Sequence, residues 1–401
     1  MDTHLGEWLN LTLRWIHVIT GVAWIGTSFY FNWLNSRTAP PPPERAEPGV
    51  GGELWSVHGG GFYRMVKYTV APERLPRTLH WFKWEAYATW LSGVALLVLI
   101  YYFGAAAYLI DPGAARLGAG QAIAVGAGTL VGAWLVYDAL CRSPLGKAPL
   151  ALAGTLFALG TALAWGLTQL LSSRAAYIHV GAGLGTIMAA NVFRVIIPSQ
   201  RDMVAALAAG RPPDATLGLQ AALRSLHNNY FTLPVLFIMV SSHYPTTYGH
   251  RLNWLILAGL ALVGVATRHW FNLRNQGRRN VWLLPATAAA IVALAFVTAP
   301  QRSSEAAGAA LGGDRVSFAE VRVIIAQRCA ACHSSAPTMP GLPGAPKSMT
   351  LDTPDEIRAR ADRILAMAVQ TRTMPLGNVT GMTEEERETL GRWIRSGAPL
   401  R

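Results

Sequence analysis

Cys329-Ala330-Ala331-Cys332-His333 is the most chemically specific string in this chain of 401 residues. Two thiols spaced by two residues lie on one turn, where each can form a thioether with a porphyrin vinyl group. The histidine that follows is held beneath the iron. A zinc site is the competing reading, but it needs further Cys or His nearby, and residues 334–401 contain neither. One covalent haem c is therefore expected, bound through Cys329, Cys332 and His333. Its sixth ligand should be a methionine from the far side. Met374, which precedes Pro375 and lies 41 residues past His333, has chain enough to wrap the ring. Met339 is too near to do so easily, while Met349 and Met382 stay open as alternatives. A His/Met pair suits electron transfer rather than oxygen activation.

The second set of chemical residues lies inside apolar segments, where ionisable groups are costly and usually face a cavity or cofactor. His17 is followed four residues on by Gly21, and His179 by Gly183. Residues i and i+4 share a helical face, so a flat porphyrin could lie close to each helix. A b-type haem between His17 and His179 is one expectation, with His243 as an alternative ligand. The plainer reading is that such glycines pack helices and such histidines only hydrogen-bond. A second group holds His80, Glu85, Asp138, Asn191, Arg194, His227, Asn228, Asn229 and His269. His80, Trp84 and Tyr87 would share one helical face. Alternatively, Arg194 pairs with Asp138 or Glu85, and the histidines near span ends merely snorkel.

Long apolar helices must position these groups. Eight segments approach the 20 or so residues that cross a bilayer: 9–33, 79–104, 119–140, 148–171, 175–198, 229–246, 252–272 and 281–299. Trp8, Trp33, Trp81, Tyr101 and Tyr102 crowd their ends, as in interfacial aromatic belts. The fold class expected is all-α: a polytopic membrane bundle over 1–299, a flexible linker over 300–315 and a class I c-type cytochrome domain over 316–401. Short helices are expected before the cysteines, near 353–370 and near 383–396, the last opened by the Thr383–Glu386 capping box.

Charge sets compartment. Residues 1–300 carry 21 Lys/Arg against 11 Asp/Glu, so the basic surplus belongs to the apolar part. That fits loops facing anionic lipid, and no nucleic-acid motif accompanies it. Lys/Arg concentrate after spans 1, 3, 5 and 7, whereas the loops after spans 2, 4 and 6 hold Arg116, Arg174 and Arg251 alone. The positive-inside rule then puts both termini and the cytochrome domain in the periplasm of a bacterial inner membrane. The first run lacks a basic start and a cleavage site, and reads as a retained span. With three cysteines, Cys141 has no partner left and a disulfide framework is excluded. Pro40–Pro43 reads as a stiff spacer.

Longer strings carry a resemblance. They are Arg14-Trp15-Ile16-His17-Val18, Gly21–Gly26, Glu53-Leu54-Trp55 with His58–Gly61, Leu79–Tyr87, His227–Tyr230 with Leu233-Pro234, Ser242–Pro245 and Met374–Asn378. With them the chain resembles the bacterial membrane-bound urate oxidases (urate hydroxylases) that carry a fused cytochrome c. The resemblance implies oxidation of urate to 5-hydroxyisourate, with electrons passing to haem c and onward to a cytochrome or terminal oxidase rather than to dioxygen. Urate is a planar anion needing a cation, amides, aromatic faces and a base. Arg194 with Asn191 would hold it, and His227, His80 or Glu85 would take its proton. A quinol- or copper-linked terminal oxidase module is the alternative, and a plain membrane anchor for a cytochrome is a third. The first needs a dense set of histidines at one depth, and the second needs only one span.

Overall fold

The computed structural model describes residues 3–299, 316–339, 342 and 344–401. The expected linker over 300–315 lies outside the described residues. Helix α1 (Thr3–Arg37) leads into a two-stranded antiparallel hairpin, β1 (Val50–His58) and β2 (Gly61–Tyr68). The rest of the described chain is helical, consistent with the all-α expectation, and the hairpin is the one local addition to it among the described residues. Its cause is local: Gly59 and Gly60 take φ of 57° and 80°, and two successive left-handed residues make the tight turn whose twist suits a hairpin. Glu53, almost buried on β1, is bonded by Arg64 at 2.7 Å and Arg45 at 3.1 Å.

The bundle continues with α2 (Trp84–Leu97), α3 (Ala105–Tyr108), α4 (Ala119–Arg142), α5 (Pro149–Leu170), α6 (Ser173–Asn191), α7 (Ile197–Ala208), α8 (Ala215–Ser241), α9 (Pro245–Tyr248), α10 (Asn253–Asn275) and α11 (Leu283–Val297). Among the described residues, five helical segments are long and apolar enough to cross a membrane: 84–102, 119–142, 149–170, 173–208 and 253–275. That is consistent with a membrane protein. The other three expected spans are helical but fall short of that standard: α1 and α8 are long yet less apolar, and α11 has 15 residues. Boundaries also shift. Residues 79–83 precede α2, and α8 begins at Ala215, which draws Arg224 out of the expected loop and buries it.

Close approaches lock the bundle. A Cβ on Gly264 of α10 would meet Pro234 of α8 at 3.1 Å, and one on Gly181 of α6 would meet Ile238 of α8. Small residues at such crossings let helix backbones come near without a hydrophobic driving force from lipid. One core runs through Leu97, Tyr101, Leu130, Leu171, Tyr177 and Leu257.

A second, separate core gathers Phe318, Val321, Ile325, Ile357, Leu390 and Trp393. It joins α12 (Phe318–Arg328), α13 (Ala330–His333), α14 (Pro354–Ala359), α15 (Ala361–Ile364) and α16 (Glu384–Arg395). The helix expected near 353–370 is broken at Arg360 and turns to π geometry over 365–370. The Thr383 box forms as read: Thr383 Oγ1 accepts from the Glu386 N–H at 3.2 Å, and Glu386 Oε2 accepts from the Thr383 N–H at 2.8 Å.

Candidate functional site

Around the Cys-x-x-Cys-His string the backbone is tightly held. Helix α12 starts on a Ser317–Glu320 capping box and stops at Cys329, which caps the short turn α13 that carries Cys332 and His333. The His333 ring donates Nδ1–H to the Met349 carbonyl at 3.0 Å, and the His333 carbonyl accepts from Leu351 at 2.7 Å. With Nδ1 so occupied, Nε2 is the nitrogen left to face a metal. Burial pushes the Cys329 thiol up to about 12, with the neighbouring Cys332 thiol adding to it. These residues fit a covalent haem held by Cys329, Cys332 and His333.

The methionines sort by position. Met382 is buried in the second core, and Met349 sits on the His333 side through its own carbonyl. Met374 packs at the edge of that core on a fixed loop. Its N–H donates to the Met367 carbonyl at 3.0 Å, and its carbonyl accepts from Arg387 at 2.7 Å. Arg387, nearly buried, also bonds the Ala368 carbonyl.

In the bundle the expected site residues scatter more than their spacing implied. His80 is exposed and outside any helix, its ring edge-on to Phe82 at 4.5 Å. The shared face with Trp84 and Tyr87 therefore does not form, because α2 begins only at Trp84. Arg194 is exposed, over the ring of its neighbour Phe193. Asn191 and Arg194 would lie close on an α-helix, but Val192–Ile196 is a π segment. Pro198 offers no N–H to the Arg194 carbonyl, and the wider turn swings Arg194 off the Asn191 face. Glu85 keeps one buried oxygen, Oε2, without a partner.

His17 and His179 do not converge on one point. His17 bonds the Thr89 carbonyl at 2.9 Å and Ser92 at 3.1 Å, against Gly93. His179, fully buried, stacks on Tyr102 and points Nε2 at Gly126, where a Cβ would overlap it. Ser92 on α2 and Tyr101 in the π segment Val98–Tyr102 that follows are nine residues apart, about 13 Å at a helical rise. Gly21 and Gly183 pack against Thr89 and Ala133 respectively. As arranged, the pair does not fit a shared b-type haem, and His243 is exposed at the turn after α8.

What the bundle does assemble is a buried polar knot around His227–Tyr230. Asn191, with no exposed surface, donates from Nδ2 to the Tyr137 hydroxyl at 3.0 Å and to Asn228 Oδ1 at 2.8 Å. Tyr137 lies 2.7 Å from His227 Nδ1, with Cys141 Sγ at 3.9 Å. While accepting from Asn191, the Tyr137 hydroxyl can also donate to Nδ1, and in the tautomer where it does so the imidazole proton sits on Nε2. In this tautomer Nε2 is a donor, so His227 acts as a base there only if the two bonds reverse. Arg224 pairs with Asp138 at 2.6 Å and covers the Tyr137 ring at 4.9 Å.

One residue further along α8, Asn229 Oδ1 accepts from Arg268 Nε at 2.9 Å and from Asn272 Nδ2 at 3.0 Å. Arg268 lies over the Phe29 ring at 3.7 Å. Five buried atoms of this region have no partner: Asn191 Oδ1, Arg224 Nη1, Asn229 Nδ2, Arg268 Nη2 and Asn272 Oδ1. Each costs about 1–3 kcal/mol if left so, more than an ion pair at the surface returns. Buried polar atoms without a protein partner are ordinarily satisfied by ordered water or a polar ligand.

Tyr137, Arg224, Arg268, Asn272 and Phe29 escaped the sequence reading. Two signals were present: Arg224 with Asn228, and Arg268 with Asn272, each lie four apart on an otherwise apolar helix. Among the described residues no group of three or more His, Cys, Asp or Glu converges as for a metal ion. Comparison with curated proteins and with solved structures gives no match. Residues 3–299, which include every member of this knot, match the urate oxidase N-terminal family, and the chain belongs to that family.

Proposed function

We propose that the chain is a membrane-bound oxidoreductase that converts urate to 5-hydroxyisourate and passes the electrons to its own C-terminal cytochrome c rather than to dioxygen. The family membership supports a urate-related oxidoreductase role. The observation that carries the finer reading is the knot on α8. Three unpartnered donors (Arg224 Nη1, Asn229 Nδ2, Arg268 Nη2) and two unpartnered acceptors suit a planar anion that has three carbonyl oxygens and ring N–H groups.

The balance is urate plus water giving 5-hydroxyisourate, two electrons and two protons. Arg268 and Asn229 would hold the carbonyl edge, with Phe29 as the aromatic wall. Asn191, Tyr137 and His227 form a chain along which a proton is handled. In this reading Glu85, with a free buried oxygen, is the remaining base, and Arg194 and His80 play no direct part. Cys329, Cys332 and His333, with Met374 as a further ligand, would hold a haem c, which would supply one-electron acceptance. The loop charges support a bacterial inner membrane with both termini and residues 316–401 in the periplasm, delivering electrons to a soluble or membrane cytochrome or terminal oxidase.

Anaerobic addition of urate to the purified protein tests this directly. The reduced α-band of haem c should appear, and no hydrogen peroxide should form when air is readmitted with the natural acceptor present. A cytochrome spectrum indifferent to urate sinks the assignment.

A further inference from the structure

The bundle and the C-terminal unit meet at one end of the helices, through residues whose fit is too close to be incidental. Gly377 lies three residues after Met374, in the short turn Leu376–Asn378. It takes φ of 58°, and a Cβ there would meet the Ala106 and Ala107 carbonyls of α3 at 2.8 Å. A second seat is independent of the first. A Cβ on Gly249, in the turn between α9 and α10, would meet the Thr371 carbonyl oxygen at 2.6 Å. Asp111, just past α3, is also near enough to Arg387 to interact with it electrostatically, and Arg387 is the side chain that fixes the Met374 carbonyl.

The bundle side of this joint is rigid. Ser172 bonds the Tyr108 carbonyl at 2.7 Å and the Leu109 carbonyl at 2.9 Å, bracing α3 against the start of α6. Behind α3 runs a chain of aromatic rings: Tyr108 to Tyr101 at 6.2 Å, then Tyr101 to His179 at 6.2 Å. Arg174 covers both tyrosines. Backbone-to-backbone seating is what a joint needs if the distance between two redox centres is to be fixed, since ångström-scale shifts in positioning carry large rate costs.

We infer that the Met374 loop is a docking element, seated on α3 and the α9–α10 turn through Gly377 and Gly249, and that this intramolecular joint is where electrons enter the cytochrome. The inference rests on the proposed urate reading for the source of the electrons. Each electron reduces the ferric haem to ferrous, and an external one-electron acceptor must reoxidise it before the second follows.

The test uses the full-length haem-loaded protein and two variants. Gly249→Val fills the second seat, and Gly377→Asn fills the first while tolerating the left-handed backbone. Hydrogen exchange should show residues 105–108 and 371–378 protected in the parent and more open in both variants. Reduction of haem c by urate should then slow by roughly tenfold or more, as expected of misplaced partners, while reduction by ascorbate from solution stays unchanged. Unprotected segments in the parent, or exchange unaltered by either variant, would remove the joint. Exchange that opens while urate reduces haem c at the parent rate would leave the joint but overturn its role. If the parent itself is not reduced by urate, the urate reading has failed, and the exchange data still judge the docking.

Discussion

The bundle and the C-terminal unit treat buried polar groups in opposite ways. All nine buried side-chain atoms without a partner among the described residues lie between Glu85 and Asn272, and the C-terminal unit has none. There, the most buried charge, Arg387, is spent on the Ala368 and Met374 carbonyls, and Glu386 is shared between Arg328 and the Thr383 cap. A small unit cannot carry orphaned polar groups on a short core. The bundle leaves such atoms open, and in the proposed reading they await a substrate, whereas the C-terminal unit closes its own.

The largest expected effect tests the frame. Cys329→Ala with Cys332→Ala removes both thioether bonds, and covalent haem should vanish entirely from a haem-stained denaturing gel. Retained covalent haem would contradict the reading of the string. Next is the site. Arg268→Ala should lower kcat/KM for urate by roughly 10²–10³, from a loss of about 3–4 kcal/mol when a buried charged partner is truncated. Arg268→Lys should recover only part of it, since the fork over Asn229 is lost. Arg194→Ala, by contrast, should leave kcat/KM near the parent value, and an equal loss there would restore the sequence-based assignment.

Tyr137→Phe comes third, with a fall in kcat of about tenfold or more and an altered pH profile, because the hydroxyl that links Asn191 to His227 is lost, and each of its two hydrogen bonds is worth about 1–1.5 kcal/mol. A smaller effect belongs to stability. Thr350 and then Thr353 bond the Glu356 carboxylate and hold it below the usual carboxylate range. Its contribution is therefore present above the unfolded value of about 4.3 and is lost as pH falls through the lower folded value. The C-terminal unit should lose stability on acidification below about pH 4, and Glu356→Gln should flatten that dependence in a circular-dichroism titration. Thr383→Ala, finally, should cost about 1 kcal/mol by removing one side of the capping box.

The helices themselves were legible because apolar runs and caps are local signals: Thr383–Glu386 folds as it reads, and all eight apolar segments are helical. The hairpin over 50–68 lies outside the helical reading, although His58–Gly61 carries its turn, because a glycine pair specifies a hairpin only once two strands pair across it. Span edges moved where a proline or a polar face intervened, as at Arg194 and His80. His227 and Asn191 were both named from sequence, yet Tyr137 between them was not, since a tyrosine in an apolar helix looks like core until its hydroxyl is seen 2.7 Å from an imidazole.

Some things about this protein were decided by the chain alone. Cys329, Cys332 and His333 are covalent neighbours on one turn, so the chemistry they imply needs no tertiary partner to be read. Charge bias between loops and the apolar length of the helices are likewise properties of the sequence. Which arginine is buried, which histidine is bonded and which polar atoms stay open were decided only by packing. Asn191, Tyr137, His227, Asn229, Arg268 and Asn272 come from four helices, α4, α6, α8 and α10. Their rotation about their own axes depends on the π segment at 192–196 and on the Gly264–Pro234 crossing. A change of half a turn in either would have exposed a different set, and no spacing within one helix encodes the angle of its neighbours.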